Sequence, residues 1–119
     1  KSLNYIFCTD NYLLKVNKEY LKLDFYTDII SFDLSENRKT IIGEIYISTE
    51  RVKENAKLFK ISTKQEILRV IFHGALHLCG YMDKSSKDMM KMRGKEDFYI
   101  INYFKSVSRG TVSARNSVP

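Results

Sequence analysis

The sequence predicts an α+β domain built on a small β-sheet, with a buried metal-binding helix at its core. Two observations support this class. The predicted elements run in the order strand, helix, two strands and three helices, and one of those helices carries the only two histidines of the chain. At 119 residues the chain is long enough for one hydrophobic core. We therefore expect a single domain over residues 1–105, followed by a flexible tail over residues 106–119.

The first half of the chain alternates strand and helix signals. Residues 3–8 are aromatic and branched enough for a strand. Asp10 is predicted to cap a helix that runs to about residue 20. Residues 29–32 and 41–48 are predicted to be two further strands that pair as a hairpin across a polar turn.

The second half is predicted to be helical. Ser48 or Thr49 caps a helix, and residues 62–66 contain two overlapping capping-box patterns that begin the histidine helix. Ser85 or Ser86 is predicted to cap a last helix that ends near residue 104.

The two histidines have the spacing of a metal site. His73 and His77 are four residues apart, so on a helix both imidazoles lie on one face. Gly80 follows the last apolar residue, where a helix typically ends in a left-handed turn. Asp83 follows three residues later and is placed to return as a third ligand. Two imidazoles and a carboxylate, with one position left for water, are typical of a catalytic zinc site.

A packing role for this pair is the alternative reading. The helix is apolar around most of its circumference and is therefore predicted to be buried on most sides. Imidazoles buried there need polar partners, and a metal ion is one way to supply them. Peptidase chemistry is disfavoured, because Gly74 stands where a zinc-peptidase motif places its glutamate.

Composition narrows the class of partner. Twenty Lys and Arg against fourteen Asp and Glu give a net charge of +6, which favours acidic partners such as nucleic acid. A solvated lysine-rich surface is the alternative. No run approaches the ~20 apolar residues of a membrane span, and no signal peptide opens the chain, so we expect a cytoplasmic protein with a trimmed N-terminus. Cys8 and Cys79 are predicted to be small core residues rather than a disulfide.

Three ordered tracts resemble a known family, the YbeY-type bacterial rRNA-maturation endoribonucleases. The family signature His-Gly-x-Leu-His-Leu-x-Gly-Tyr-Asp-His is similar to residues 73–83. Asn17 and Tyr20, followed by residues 27–32, resemble its Asn-x-x-Tyr and Thr-Asp-Val-Leu-Ser-Phe tracts. Residues 43–48 are similar to its Gly-Asp-Ile-x-Ile-Ser strand. The resemblance spans roughly residues 3 to 100.

The resemblance implies a small mixed sheet with surrounding helices and a zinc site in a cleft. It implies one zinc ion (Zn2+) per chain on His73, His77 and Asp83, although the family usually has a third histidine where Asp83 stands. Two histidines and one carboxylate also suit iron, so another divalent metal stays open. The family commonly places a catalytic arginine at the position of Leu21, and the neighbouring Lys22 is the predicted substitute for its charge.

The function implied is metal-dependent cleavage of single-stranded RNA in rRNA processing, at the 3′ end of 16S rRNA, and in ribosome quality control. The expected partners are ribosomal RNA and the small ribosomal subunit, with no membrane and no DNA. Asp28 and Glu44 are both candidates for the general base. The alternatives are an RNA-binding ribosome assembly factor that cuts weakly or not at all, and a hydrolase of small molecules. Arg109 and Arg115 are basic, but we expect the tail to be inert.

Overall fold

The computed structural model describes residues 2–37 and 39–117, with side chains described as far as residue 107. The described backbone confirms the predicted order of elements, with these bounds: β1 Ser2–Cys8, α1 Asp10–Leu21, β2 Ile29–Asp33, β3 Ile42–Ser48, α2 Thr49–Phe59, α3 Thr63–Leu78 and α4 Ser86–Ser117. The α+β class is therefore confirmed.

The sheet is small and mixed, as expected. Its strand order is β1-β3-β2, so β3 lies in the middle and β2 forms an edge of the described sheet. β1 runs parallel to β3, with Ser2 opposite Ile42, while β2 runs antiparallel to β3, with Ile29 opposite Ile47. The predicted hairpin of β2 and β3 is thus confirmed.

The two faces of the sheet carry separate parts of the core. Alternate residues of β3 point to opposite faces, so Ile45 and Ile47 pack with Val52 and Val70 on the side covered by α2 and α3. The other face packs against α1, through Leu13, Val16 and Ile30. Both histidines lie on α3, which covers the first of these two faces.

Gly74 allows α3 to lie directly on the sheet. A Cβ atom at this position would come within 2.9 Å of Ile29 Cδ1 and 3.0 Å of Ile45 Cγ2. Any larger residue would push the helix away from β2 and β3. The close approach sets His73 beside the edge strand β2.

Two predictions about local structure need correction. Thr9, not Asp10, caps α1, because the Thr9 side chain accepts from the Tyr12 N–H, while Asp10 pairs with Arg51. Cys79 is exposed rather than part of the core, because it follows the last turn of α3, whereas Cys8 is half-buried and packs against the core.

The last helix also continues past its predicted end near residue 104. α4 extends to Ser117, since no proline interrupts the sequence before Pro119 and polar residues are compatible with a helix. The division into a domain over residues 1–105 and a flexible tail over residues 106–119 stays a prediction. The side chains of Arg109 and Arg115 lie outside those described. No helix in the described part of the chain is long and apolar enough to cross a membrane.

Candidate active site at the edge of the sheet

The helix that carries the histidines has well-formed ends. Ser62 caps its start, with its hydroxyl oxygen accepting from the Gln65 N–H at 3.1 Å. Its end is the predicted left-handed turn: Gly80 has a φ of +101°, and the Tyr81 N–H donates to the Leu76 carbonyl at 3.1 Å. This turn reverses the chain, and the residues after it return towards the histidine face.

The structure brings His73, His77 and Asp83 to one open cleft of about 470 Å3 beside β2. The two imidazole rings are nearly parallel, with centroids 6.3 Å apart, as their spacing of one helical turn requires. The Nε2 atom of His73 lies 3.1 Å from Oδ2 of Asp83. The three predicted metal ligands therefore share a cleft, and two of them are in direct contact.

A buried carboxylate holds His73 from behind. The Nδ1 atom of His73 lies 2.6 Å from Oε2 of Glu96, whose side chain is only 5% exposed. The other oxygen of Glu96 accepts from Arg69 at 2.9 Å, and Arg69 also donates to Asp97 at 2.7 Å. The hydrogen bond to Glu96 is the main cause of a raised pKa at His73, with smaller contributions from the charges of Glu96, Asp83 and Asp28. The same bond fixes the ring so that Nε2 faces the cleft.

A second cavity, of about 300 Å3, lies on the far side of His73. It is lined by residues from four segments, among them the charged side chains of Asp28, Glu66, Arg69, Arg93 and Glu96. Burial raises the pKa of Asp28. Burial, and then the charge of Asp28, raises the pKa of Glu66, whose Oε1 is buried without a hydrogen-bond partner.

The cleft residues match a metal site in chemical type but not in their spacing. Within residues 2–37 and 39–117, no three His, Cys, Asp or Glu side chains are close enough together to enclose an ion. His73 Nε2 instead lies 3.1 Å from Asp83 Oδ2, so these two residues contact each other directly, and a bound metal would have to separate them. Two imidazoles and a carboxylate are nonetheless a suitable donor set for zinc, and a carboxylate on the remote nitrogen of a ligating histidine is a usual supporting contact. The roles of His73, His77 and Asp83 as ligands stay predictions.

The other predicted site residues are divided by the fold. Leu21, which occupies the position of the family's arginine, lines the cleft. Lys22 does not line it: this residue ends α1 in a left-handed conformation, with φ 58°, and its Nζ donates to the Glu19 carbonyl at 3.2 Å.

The two candidates for the general base are separated by the sheet. Glu44 follows Gly43 on β3 and points to the α1 face, where its Oε1 accepts from the Tyr46 hydroxyl at 3.3 Å. The sheet separates it from the histidines, so its candidacy as a base is wrong. Asp28 lies on the histidine side and lines the cavity behind His73.

Sequence reasoning missed the residues that hold His73 in place. Glu96 and Arg69 belong to different helices, α4 and α3, and neither is part of a tract noted in the sequence. One signal was present, because Arg69 precedes His73 by one helical turn and so lies on the same side of α3. Asn17 was noted only as part of a tract; its side chain donates to the Phe25 carbonyl at 3.0 Å and so fixes the loop that borders the cleft.

Comparisons with known proteins match most of the chain to one family. The family model described as Endoribonuclease YbeY matches residues 1–103. A relative from Flavobacterium psychrophilum, named Endoribonuclease YbeY, is 57% identical over 95 residues, which cover 80% of this chain and 67% of the relative. A relative of the same name from Cytophaga hutchinsonii is 55% identical over 95 residues, covering 80% of this chain and 66% of the relative.

A solved structure supports the fold independently. The solution structure of a Thermotoga maritima protein aligns with a TM-score of 0.62 and 32% identity, covering 87% of this chain and 71% of that one. The chain spans about two thirds of the length of the curated relatives that it matches. Together with the cleft that contains residues 73–83, the match over residues 1–103 shows that the chain belongs to the endoribonuclease YbeY family.

Proposed function

We propose that this chain is a metal-dependent endoribonuclease that cuts single-stranded RNA. The observation that carries the proposal is the convergence of His73, His77 and Asp83 on one open cleft, with His73 held from behind by a buried carboxylate. The names of the curated relatives support the reaction class. By the family resemblance, the natural substrate is the 3′ end of 16S rRNA, on the small ribosomal subunit in the cytoplasm.

One zinc ion per chain is the proposed cofactor, held by His73, His77 and Asp83. When bound there, zinc supplies a water of lowered pKa, about 7, and polarises a phosphate oxygen. The chain's own contribution is to fix the ligands: Glu96 accepts from Nδ1 of His73, which leaves the lone pair of Nε2 directed to the cleft. Arg69 neutralises Glu96, so that the carboxylate is not an unpaired buried charge.

Asp28 is the remaining candidate for the general base. It is a half-buried carboxyl on the histidine side, and this burial raises its pKa, which makes it a stronger base than an exposed aspartate. Its neighbours Thr27 and Ile29 line the cleft, so Asp28 sits between the cleft and the charged cavity. Glu44 plays no part in this proposal, because the sheet separates it from the cleft.

The shape of the cleft favours a polymer over a small molecule. It is open along the edge strand and is bordered by the loop after α1, which contributes Leu23 and Phe25. An unpaired RNA strand can enter and bend in such a cleft, whereas an A-form duplex is wide and stiff. Apolar and aromatic side chains suit the faces of unpaired bases, which stack on them irrespective of sequence.

The alternative is an RNA-binding assembly factor that does not cut. The observation behind it is Leu21, because an apolar side chain cannot clamp a phosphate as the family's arginine does. The geometry of residues 73–83 and the names of the relatives favour cleavage over this alternative.

The decisive experiment measures metal content and cleavage on one preparation, with a single unstructured RNA as substrate. We expect about one zinc per chain. We expect both metal and activity to be lost in His73→Ala and in His77→Ala, and Asp83→Ala to weaken metal binding less, because two imidazoles remain. Full metal retention in the double histidine variant would rule out the site. Cleavage that survives both His73→Ala and a chelator would identify a contaminating nuclease.

Leu21→Arg tests the departure from the family. We expect it to raise turnover about tenfold, as one added charge-assisted contact to phosphate would. Leu58→Arg is the matched control: it makes the same change at a leucine that is 74% exposed on α2 and does not line the cleft. Equal gains in both variants would show a general effect of charge. If wild type and Leu21→Arg both bind the RNA and neither cuts it, the assembly-factor alternative is correct.

A further inference from the structure

A row of lysines runs along the beginning of α4. Lys87, Lys91 and Lys95 follow one another at intervals of four residues, so they lie along one side of the helix, and Lys84 stands in the loop before it. Lys84, Lys87 and Lys91 are exposed, and Lys95 is half-buried. In the described part of the chain, no carboxylate forms a salt bridge with any of the four. We call these four residues the lysine row.

Two members of the lysine row meet over one aromatic ring. The Nζ atoms of Lys91 and Lys95 lie 5.7 Å and 5.8 Å from the centroid of the Tyr81 ring. Cation–π attraction holds both ammonium groups near that ring. A phosphate beside the ring would therefore be attracted by two positive charges.

The nearby carboxylates are too few to neutralise the lysine row. Residues 81–95 contain five basic and two acidic residues. Glu96 and Asp97, which follow on α4, are both engaged by Arg69. Asp88 lines the same depression as Lys91 but forms no salt bridge with it among the described contacts.

The position of Tyr81 joins the lysine row to the cleft. Tyr81 belongs to the short segment between Gly80, which ends α3, and Asp83, which lines the cleft. An RNA strand that leaves the cleft past Asp83 therefore reaches the lysine row next. Because single-stranded RNA carries one charge per nucleotide, an extended binding surface needs cations spaced along it rather than at one point.

We propose that the lysine row, centred on Tyr81, binds the phosphodiester backbone of single-stranded RNA on its path into the cleft. The inference rests on the proposed function, since it takes the cleft as the place of cleavage. It assigns affinity to α4 and chemistry to the cleft. The contacts are to phosphate, so the lysine row gives affinity irrespective of base sequence.

Binding of a labelled oligouridylate at several salt concentrations tests the proposal. For single strands the logarithm of the binding constant falls with the logarithm of salt by about 0.7 per phosphate contact. Lys91→Gln combined with Lys95→Gln should therefore reduce this slope by about 1.4 and weaken binding at low salt. The matched control is Lys53→Gln with Lys57→Gln, which removes two exposed lysines at the same interval on α2. The control should keep the wild-type slope within about 0.3, because its charges lie away from the RNA path and are screened.

The possible outcomes separate this inference from the proposed function. Equal changes of slope in the two double variants would overturn the lysine row as a specific surface. If Lys91→Gln with Lys95→Gln loses binding to anionic lipid vesicles but keeps wild-type RNA binding, the lysine row binds a membrane instead. That result would also overturn the proposal. If wild type neither cuts nor binds RNA, the proposed function itself fails. If wild type cuts, and Lys91→Gln with Lys95→Gln matches it in affinity and slope, only the lysine row is refuted.

Discussion

His73 separates two cavities that differ in volume and in lining. The cavity behind it, of about 300 Å3, is lined by charged side chains from α3, α4 and the residue before β2. The cleft in front, of about 470 Å3, is bordered by Leu21, Leu23 and Phe25 and is open along the sheet edge. The rear cavity holds the imidazole by Nδ1, and the cleft receives Nε2. The comparison teaches that the residues which orient the site are more deeply buried than those predicted to react.

Removing the rear carboxylate should give the largest effect. Glu96→Ala leaves Arg69 without one of its two partners and His73 without its anchor, so we expect a loss of about 3–5 kcal/mol in unfolding free energy. Asp97→Ala is the matched control, because Asp97 is the other carboxylate on Arg69 but is 49% exposed, and it should cost about 1 kcal/mol or less. Urea unfolding of both variants measures the difference. Equal losses would break the comparison between a buried anchor and a peripheral ion pair.

The approach of α3 to the sheet should give the next largest effect. Gly74→Ala places a Cβ 2.9 Å from Ile29 Cδ1, so we expect a loss of about 1–3 kcal/mol and a displaced His73. Gly94→Ala is the control, since an added Cβ there meets nothing within 4 Å in α4. It should stabilise the protein by about 0.5–1 kcal/mol, because glycine is a poor helix former. Thermal unfolding of the two variants should show changes in stability of opposite sign. If both variants are more stable than wild type, the contact at Gly74 relaxes without cost.

The unpartnered carboxylate oxygen of the rear cavity should be dispensable. Glu66→Met keeps most of the side-chain volume and removes a buried group whose Oε1 has no hydrogen-bond partner, so we expect a gain of about 1 kcal/mol at neutral pH. Glu19→Met, at an exposed position on α1, should change stability by less than about 0.5 kcal/mol. Denaturant midpoints decide the matter. A loss of stability in Glu66→Met would mean that the rear cavity needs this charge as much as it needs Glu96.

The smallest expected effect is the pH dependence of the metal-free protein. The pKa of His73 is raised above its ordinary 6.5, chiefly by the hydrogen bond to Glu96. Stability from this histidine is therefore complete below pH 6.5 and is lost as the pH rises through the folded-state pKa. Burial also raises the pKa values of Asp28 and Glu66, which gives the same sign at more acidic pH.

In the presence of a chelator, the unfolding free energy of wild type should fall as the pH rises above 6. In Glu96→Gln this pH dependence should be weaker. A rise with pH in the chelated wild type would contradict the anchor. Zinc-loaded protein should show the reverse trend, because a ligating histidine must be deprotonated.

Much of the fold was predictable because its signals are local. The helix caps, the turn at Gly80 and the alternation of the strands each depend on residues within a few positions of one another. The convergence of His73, His77 and Asp83 on one cleft was predictable for the same reason, since one helical turn and one reversal bring them together. The role of Lys22 depended on the left-handed end of α1, which no residue type there signals.

The supporting contacts were not predictable because they cross between distant elements. Glu96 is separated from His73 by 23 positions and from Arg69 by 27, and no periodicity links them. Glu44 could not be excluded from the sequence, because strand alternation places it and Ile45 on opposite faces of β3 but does not say which face α3 covers. Asp28 and Glu44 were equal candidates until the structure showed that α3 packs on the Ile45 face of the sheet.

The position of β2 at the edge of the sheet has a consequence for how this family can vary. Only one side of β2 is hydrogen-bonded to another strand in the described sheet, so alternate backbone N–H and C=O groups face outward, and Ile29, Ile30 and Ser31 border the cleft. These groups belong to the main chain, and no substitution other than proline deletes them. The cleft thus has a permanent set of donors and acceptors that mutation cannot erase. Substitution of side chains such as Leu21 can change the chemistry of the cleft while the backbone of β2 continues to border it.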